Sequence, residues 1–474
     1  MIFSSITFLF YFLPIMFFLY YIVPFKYKNI ILLLSSLFFY AWGEPKYVLL
    51  LLFSVWINFV IGKQIPKHRF LLYISLFLNI GLLVLFKYST MLFHVYQTFS
   101  HSTLSFPELA LPLGISFYTF QIMSYMIDVY RGTCAPQKSF LHFATYVTLF
   151  PQLIAGPIVR YTDVREELIS RTPEYEKGIY FFLIGLSQKV LLANNIGLIW
   201  KETLSYPFSS ISTPTAWLSL LAYAFQIYFD FCGYSNMAIG LGHVLGFHFP
   251  VNFNKPYMSK SITEFWSRWH ISLSSWFKEY VYIPLGGNRK GLLRQLINIL
   301  IVWSLTGIWH GASFNFLLWG LYFAFLLVLE KLFLKEFLEK LPRIMQHLYA
   351  LFTILTGWVL FAFDSTSDLI SFYHRLFQTN ISFDSHFLYL IRNNWLIFIL
   401  CIIISSNLVE NLIDRVVHFF HNKGGSRFMS NENTLIFSRN LLQAVKHILL
   451  LLCFLLSVAY IVDDSYNPFL YFRF

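Results

Sequence analysis

The chain has 474 residues, of which 57% are hydrophobic, 20% aromatic and only 12% charged, against roughly a quarter charged in an ordinary soluble domain. This excludes water as its main solvent, and the apolar residues come in blocks long enough for the roughly 20-residue span that a bilayer core of about 30 Å requires. The formal net charge of +11 does not indicate nucleic-acid binding, because no recognition module accompanies it; Lys and Arg collect in short connections at 63–69, 278–294 and 331–343, as expected of cytoplasmic loops beside anionic lipid.

The first apolar run, 6–23, has no basic residue ahead of it and no small-residue cleavage site behind it, which predicts an anchor and not a signal peptide. Lys26 and Lys28 follow, so the N-terminus is expected outside the cell. Runs 27–42 and 47–62 form a hairpin around Gly43, Glu44, Pro45 and Lys46, and the basic loop 63–69 returns to the inside. Run 70–86 goes out again, with 87–105 as an external polar loop. Further spans are predicted at 111–129, 141–158, 178–200, 218–244, 296–308, 314–333, 348–363, 395–408 and 441–462. The expected fold is one all-α polytopic membrane domain over 1–474, with roughly 11–13 transmembrane or re-entrant helices. Residues 422–439, rich in Gly, Asn and Ser, read as a cytoplasmic loop. No inverted repeat or matched pair of broken helices is visible, which counts against a transporter or flippase whose histidines relay protons. Cys134, Cys232, Cys401 and Cys453 show neither CxxC spacing nor a His partner at zinc distance, so no disulfide or metal is expected.

Residues 247–294 are too polar to span and too rich in Trp, Phe and Tyr for a solvated loop. Irregular backbone at membrane depth survives only when buried in protein or lining a wet cavity. This region, with the segment after it, is where chemistry is expected. His310, in Trp303-Ser304-Leu305-Thr306-Gly307-Ile308-Trp309-His310-Gly311-Ala312-Ser313, is an ionisable group between two membrane-grade runs and a functional candidate on that ground; a core histidine bonded to a neighbouring helix would look the same. His270, in Glu264-Phe265-Trp266-Ser267-Arg268-Trp269-His270, is the second candidate, although a Glu264–Arg268 salt pair within an aromatic belt has the same spacing. His243 and His248 read as interfacial, without a metal, because the HExxH pattern and an acidic third ligand are missing.

Taken in order, the segments Phe229-Asp230-Phe231-Cys232-Gly233-Tyr234-Ser235-Asn236, Phe253-Asn254-Lys255-Pro256-Tyr257, the His270 motif, Tyr282-Ile283-Pro284-Leu285-Gly286-Gly287-Asn288-Arg289 and the His310 motif resemble the membrane-bound O-acyltransferase (MBOAT) family. They are most similar to its bacterial branch of alginate and peptidoglycan O-acetyltransferase membrane subunits. Gly114-Ile115-Ser116-Phe117-Tyr118-Thr119-Phe120-Gln121 and Ala155-Gly156-Pro157-Ile158 also fit, and Cys232 departs from the Ser common in this branch. The resemblance implies a ring of tilted helices around a funnel, core motifs within 111–333, His310 as the essential histidine and His270 as its partner. Trp309, Asp230, Tyr234, Ser235, Asn236, Arg268 and Trp269 would line or orient the funnel.

An imidazole suits acyl transfer from a thioester to a hydroxyl, because its pKa lies near the working pH. The donor is expected to be acetyl-CoA or an acylated carrier protein, with no bound cofactor. Lys278, Arg289 and Lys290 would contact it on the cytoplasmic side, unless they simply mark positive-inside topology. The tail 463–474 ends in Asn467-Pro468-Phe469-Leu470-Tyr471-Phe472-Arg473-Phe474 and should face outward. In this branch a similar aromatic tail carries a tyrosine resembling an acyl relay, which points to Tyr471; an interfacial anchor is the alternative. The implied partners are lipid, a polysaccharide acceptor and an extracytoplasmic transferase, in the bacterial inner membrane, with no nucleic acid. D-alanyl transfer to teichoic acid from a carrier protein is the rival within the family.

Overall fold

The computed structural model describes residues 1–100, 109–154, 156–379, 382–408, 432–463 and 467–468. Among them every regular element is helical. The first apolar run forms a π-turn, Thr7–Phe12, leading into α1 (Leu13–Ile22). Then come α2 (Phe25–Gly43), α3 (Val48–Gln64) and α4 (Leu71–Lys87), with Pro45 opening the short turn Pro45–Tyr47 between α2 and α3. The segment after Lys87, expected as a polar loop, is helical over α5 (Ser89–Ser100).

α6 (Ile115–Arg131) is buried on nearly every face. The span expected over 141–158 is broken into α7 (Phe140–Thr148), the single turn α8 (Phe150–Leu153) and, further on, α9 (Tyr161–Val164). Pro151 explains the break, since it cannot donate the hydrogen bond that would continue α7. α10 (Tyr175–Ser187), a π-turn Gln188–Asn194 and α11 (Asn195–Leu204) make one long span, which packs against α12 (Thr213–Leu245). Glycines set how closely these helices approach. Gly178 and Gly185 on α10 face Gly240 and Gly233 on α12: a Cβ on Gly233 would stand 2.6 Å from the Gly185 carbonyl oxygen, and one on Gly178 would stand 2.8 Å from that of Gly240. Lipid gives helices no hydrophobic reason to associate, so such backbone contact carries the packing.

The polar, aromatic region folds into two short helices, α13 (Ile262–Arg268) and α14 (Ile271–Phe277). α15 (Leu292–His310) and α16 (Phe314–Leu329) follow, then α17 (Lys335–Glu339), α18 (Arg343–Ala362) and the amphipathic α19 (Thr366–Leu376), which the sequence reading missed. α20 (Ser385–Ser405) begins ahead of the expected 395. α21 (Glu432–Asp463) starts inside the stretch read as a loop; residues 422–431 of that stretch lie outside the described residues.

Seven helical stretches among the described residues are long and apolar enough to cross a membrane, or eight if α4 and α5 form one bent span. That is fewer than the sequence suggested. α1 is short, while α6 and α12 carry Gln121, Asp128, Gln226 and Asp230, all buried within the protein, where polar side chains are tolerated because they do not face lipid. Several connections are tied to neighbouring segments: Tyr20 donates to the Leu245 carbonyl (2.8 Å), Asn29 to that of Leu168 (2.8 Å), Arg69 to that of Tyr130 (3.3 Å) and Arg131 to that of Glu279 (3.2 Å). At the other end of α1, the Asn467 amide donates to the Ser4 carbonyl (3.0 Å).

Candidate active site

His310 is the last residue of α15, and its position is fixed from both sides. Along the chain, Gly307 meets Gly320 of α16 so closely that a Cβ on Gly307 would sit 3.2 Å from the Gly320 Cα. At the helix end, the last carbonyls have no intrahelical donor. The Tyr88 hydroxyl donates to the Ile308 carbonyl and the Lys87 ammonium to the Trp309 carbonyl, so the end of α4 caps the end of α15. A cation suits the partial negative charge there. Around the buried imidazole stand Trp309, Trp319 and Phe361, with ring centroids at 4.9, 5.0 and 5.2 Å, each edge to face.

His270 joins α13 to α14 in a left-handed conformation, φ 47° and ψ 54°. Only it and Lys255 among the described non-glycine residues have positive φ. Such strain persists where the surroundings over-determine it, commonly at functional sites. Here Asn252 supplies the constraint. Its carbonyl accepts from Ile271 N (2.9 Å), and its side-chain Oδ1 accepts from Ser272 N (3.2 Å) and Ser272 Oγ (2.9 Å) and lies 3.1 Å from His270 Nδ1. A backbone N–H can only donate, so that Asn atom is the acceptor and His270 Nδ1 must carry a proton. The neutral ring therefore presents Nε2 as its basic nitrogen. α13 is held in turn by buried Glu330, which accepts from Ile262 N (2.6 Å), Thr263 N (2.9 Å) and Thr263 Oγ1 (2.6 Å); a carboxylate at a helix N-terminus meets orphan donors and a favourable dipole.

His270 and His310 line one cavity of about 350 Å³ together with Trp266, Trp269, Trp303, Thr306, Lys278 and Tyr282. Trp309 touches both histidines, its ring centroid 6.2 Å from His270 and 4.9 Å from His310, but is not itself a wall residue. Two imidazoles in one largely aromatic cavity with a lysine in its wall suit proton transfer beside an anionic group.

The other expected site residues divide. Trp269 and Lys278 are in the wall, whereas Arg289 and Lys290 are exposed on the hairpin beyond it. Arg268 is tied to Glu264 (2.8 Å) and is not a wall residue. Asp230, Tyr234, Ser235 and Asn236 are not in the cavity wall either. Tyr234 stacks on Phe3 at 4.4 Å, Asn236 bonds Gln188 at 2.8 Å, and Ser235 is buried in α12. It is Phe231 of that motif that reaches the site, edge-on to His270 at 4.7 Å. Asp230 forms a buried ion pair with Lys189 (2.6 Å), and Lys189 also bonds Asn194 (2.9 Å) and the Pro468 carbonyl. With the Asn194–Asn467 bond (3.3 Å), this cluster anchors the chain at Asn467 and Pro468. Tyr471 and Ala155 lie outside the described residues. Lys87, Lys189 and Asn252 were missed; the two lysines, ionisable groups at the edge of or within apolar runs, carried the signal that should have flagged them. The acidic neighbour that spacing does not show for His243 and His248 is supplied by the fold, which brings Glu174 to both, at 3.0 and 3.2 Å.

The sequence matches the profile of the membrane-bound O-acyltransferase family over residues 82–371. A protein of Pseudomonas putida described as "probable alginate O-acetylase AlgI" is 37% identical over 393 residues, covering 80% of each chain. The peptidoglycan O-acetyltransferase of Helicobacter pylori is 34% identical over 408 residues, covering 76% of this chain and 77% of its own. The teichoic acid D-alanyltransferase of Bacillus subtilis is 30% identical over 248 residues, covering 50% of this chain and 61% of its own. With its apolar helices and its pair of histidines in one cavity, the chain is a multi-pass membrane acyltransferase, and it belongs to the membrane-bound O-acyltransferase family.

Proposed function

We propose that this protein is an O-acetyltransferase that takes acetyl from a cytoplasmic thioester and passes it outward for O-acetylation of an extracytoplasmic polysaccharide. The observation that carries this reading is the single cavity shared by His270 and His310, with Lys278 of the basic stretch 278–294 in its wall. Positive loops face the cytoplasm, so that stretch is where an anionic donor, acetyl-CoA or an acylated carrier protein, arrives. His310 takes the proton of the accepting hydroxyl as its oxygen attacks the thioester carbon. The acyl–oxygen bond forms, the acyl–sulfur bond breaks, and the proton passes to the departing thiolate. His270, fixed by Asn252, orients the reacting groups.

The anchored chain at Asn467 and Pro468 leads directly into the segment that carries Tyr471, which supports its phenol as the first acceptor. A separate extracytoplasmic transferase then completes delivery to the polymer in the bacterial inner membrane. Acetyl is favoured over D-alanyl because the alginate-type relative aligns over 80% of this chain and the D-alanyl relative over 50%. The test is purified protein in liposomes given labelled acetyl-CoA or a charged carrier protein, with His310→Ala alongside. Labelled acyl transfer is expected in the parent and none in the variant. Transfer within a few-fold of the parent in His310→Ala would make His310 structural, and transfer from an aminoacylated carrier alone would move the protein to the D-alanyl branch.

A further inference from the structure

Four polar side chains from three segments converge where neither the family resemblance nor the proposed reaction uses them. α12 ends at Gly246, whose φ of 86° reverses the chain and carries His248 back beside His243 of the last turn, ring centroids 5.1 Å apart. A Cβ there would require the left-handed conformation that side chains disfavour. Glu174, just ahead of α10, is pinned to the same turn by a bond from its own N–H to the His243 carbonyl (2.9 Å). The Tyr20 hydroxyl holds the adjacent Leu245 carbonyl at 2.8 Å. The backbone around the cluster is therefore fixed by contacts independent of its side chains.

The side chains have the separations of a coordination shell. His243 Nδ1 is 3.0 Å from Glu174 Oε2, and His248 Nε2 is 3.2 Å from Glu174 Oε1. Ligands about 2.0–2.1 Å from a tetrahedral zinc ion lie roughly 3.3 Å from one another. His243 Nδ1 and Glu174 Oε2 are both buried atoms, yet no hydrogen bond of acceptable direction joins them, and the carboxylate oxygen is met from the other side by the Lys177 ammonium. Two polar atoms at that distance with no proton aligned between them are what a shared cation resolves. The other ring nitrogen of His248, Nδ1, lies 2.6 Å from Glu167 Oε1, and Glu167 Oε2 accepts the His248 backbone N–H at 3.0 Å. A carboxylate behind the imidazole fixes its tautomer and raises its basicity, as in the outer shell of zinc sites. The only nearby competitor the contacts show is Lys177, 3.2 Å from Glu174 Oε2. A polar cleft lined by Glu174, Tyr175, Lys177 and Lys446 gives access from solvent.

We infer that His243, His248 and Glu174 form a site for a divalent transition cation of the zinc class, with Glu167 as the outer-shell partner of His248 and water in the fourth position. The ion ties the end of α12 to the start of α10 and to the segment leading to Asn252 and His270. It takes no part in acyl transfer.

The experiment is zinc titration of the full chain, purified in detergent without an oligohistidine tag and stripped with chelator, followed by calorimetry and elemental analysis. One ion per chain is expected, with the melting temperature raised by zinc. His243→Gln and His248→Gln should each abolish saturable binding, and Glu167→Gln should weaken it about 10–100-fold. Cobalt(II) substitution adds a readout, since tetrahedral nitrogen and oxygen ligation gives intense visible absorption that both histidine variants should lose. Size-exclusion elution matching the parent identifies folded variants; if one histidine variant does not fold, the other and Glu167→Gln carry the test. No saturable binding by the parent, or binding unchanged in the folded variants, overturns the site, and neither result bears on the acyltransferase reading.

Discussion

Gly233→Ala tests whether backbone contact between α10 and α12 sets the geometry of this protein. The new methyl would stand 2.6 Å from the Gly185 carbonyl oxygen, 2.9 Å from Lys189 N and 3.2 Å from Lys189 Cβ. Two of those three atoms are backbone, so no rotamer change relieves the clash. Ordinary contact requires about 3.5 Å, so the helices must part by something approaching 1 Å. Overpacking of this kind costs about 1–3 kcal/mol. The damage is directional as well, because Lys189 carries the ion pair to Asp230 and the bond to Pro468. A misplacement of that size costs about 100-fold in rate even when it starts away from the chemistry, about 2.7 kcal/mol, so loss of transfer should be comparable with loss of stability. The control is Gly81→Ala in α4, where a Cβ meets nothing within 4 Å; an alanine in a helix interior should be neutral or stabilising by about 0.5–1 kcal/mol. Thermal unfolding in detergent and acyl transfer by the purified protein read both effects. A Gly233→Ala protein as stable and active as the parent would refute the idea that this crossing is held by backbone contact.

Other substitutions separate the roles of individual groups. Asp230→Asn leaves Lys189 without its buried counter-charge and should destabilise by about 3–5 kcal/mol, while Asp230→Leu with Lys189→Met recovers much of that loss; equal melting temperatures for the single and double variants would contradict this. Lys87→Met leaves the Trp309 carbonyl without its donor, a loss of about 1–3 kcal/mol, and should lower kcat more than it raises KM in a steady-state assay. His270→Asn retains a hydrogen-bonding side chain and no base, so transfer should fall less than in His310→Ala; equal loss would exchange their roles. Tyr471→Phe removes one oxygen and should end transfer to the polymer, with an acetyl adduct on the parent's C-terminal peptide seen by mass spectrometry. Parent-like acetylation by the Phe variant would make the tail an interfacial anchor.

The sequence made some features visible because one local property fixed them. Length and apolarity located α3, α15, α16 and α18, and the cost of burying an imidazole in an apolar run singled out His310. Hydropathy failed where tertiary context decides. α5 is amphipathic and read as a loop, the amphipathic α19 gave no span signal, and α7 was overextended because an apolar run does not reveal the break at Pro151. Funnel residues were assigned by their nearness in a motif, yet successive residues of a helix point in different directions. Phe231 therefore reaches His270 while Tyr234 and Asn236 pack against the N-terminal segment and α10. The Glu174–His243–His248 cluster was invisible for a related reason: the third ligand lies 69 residues before His243 in the chain, a pairing made by the glycine contacts of α10 and α12 and not by local spacing.

The placement of the two histidines follows from how differently each is held. His310 ends a membrane helix, and what fixes it comes from outside that helix, from Lys87, Tyr88 and the Gly320 crossing. His270 sits in irregular backbone, where Asn252 closes a local ring of hydrogen bonds around a left-handed residue. The first arrangement ties His310 to α4 and α16. The second ties its partner to α13, and through Glu330 to the end of α16. α16 is thus common to both supports, meeting α15 at Gly320 and α13 just past Leu329.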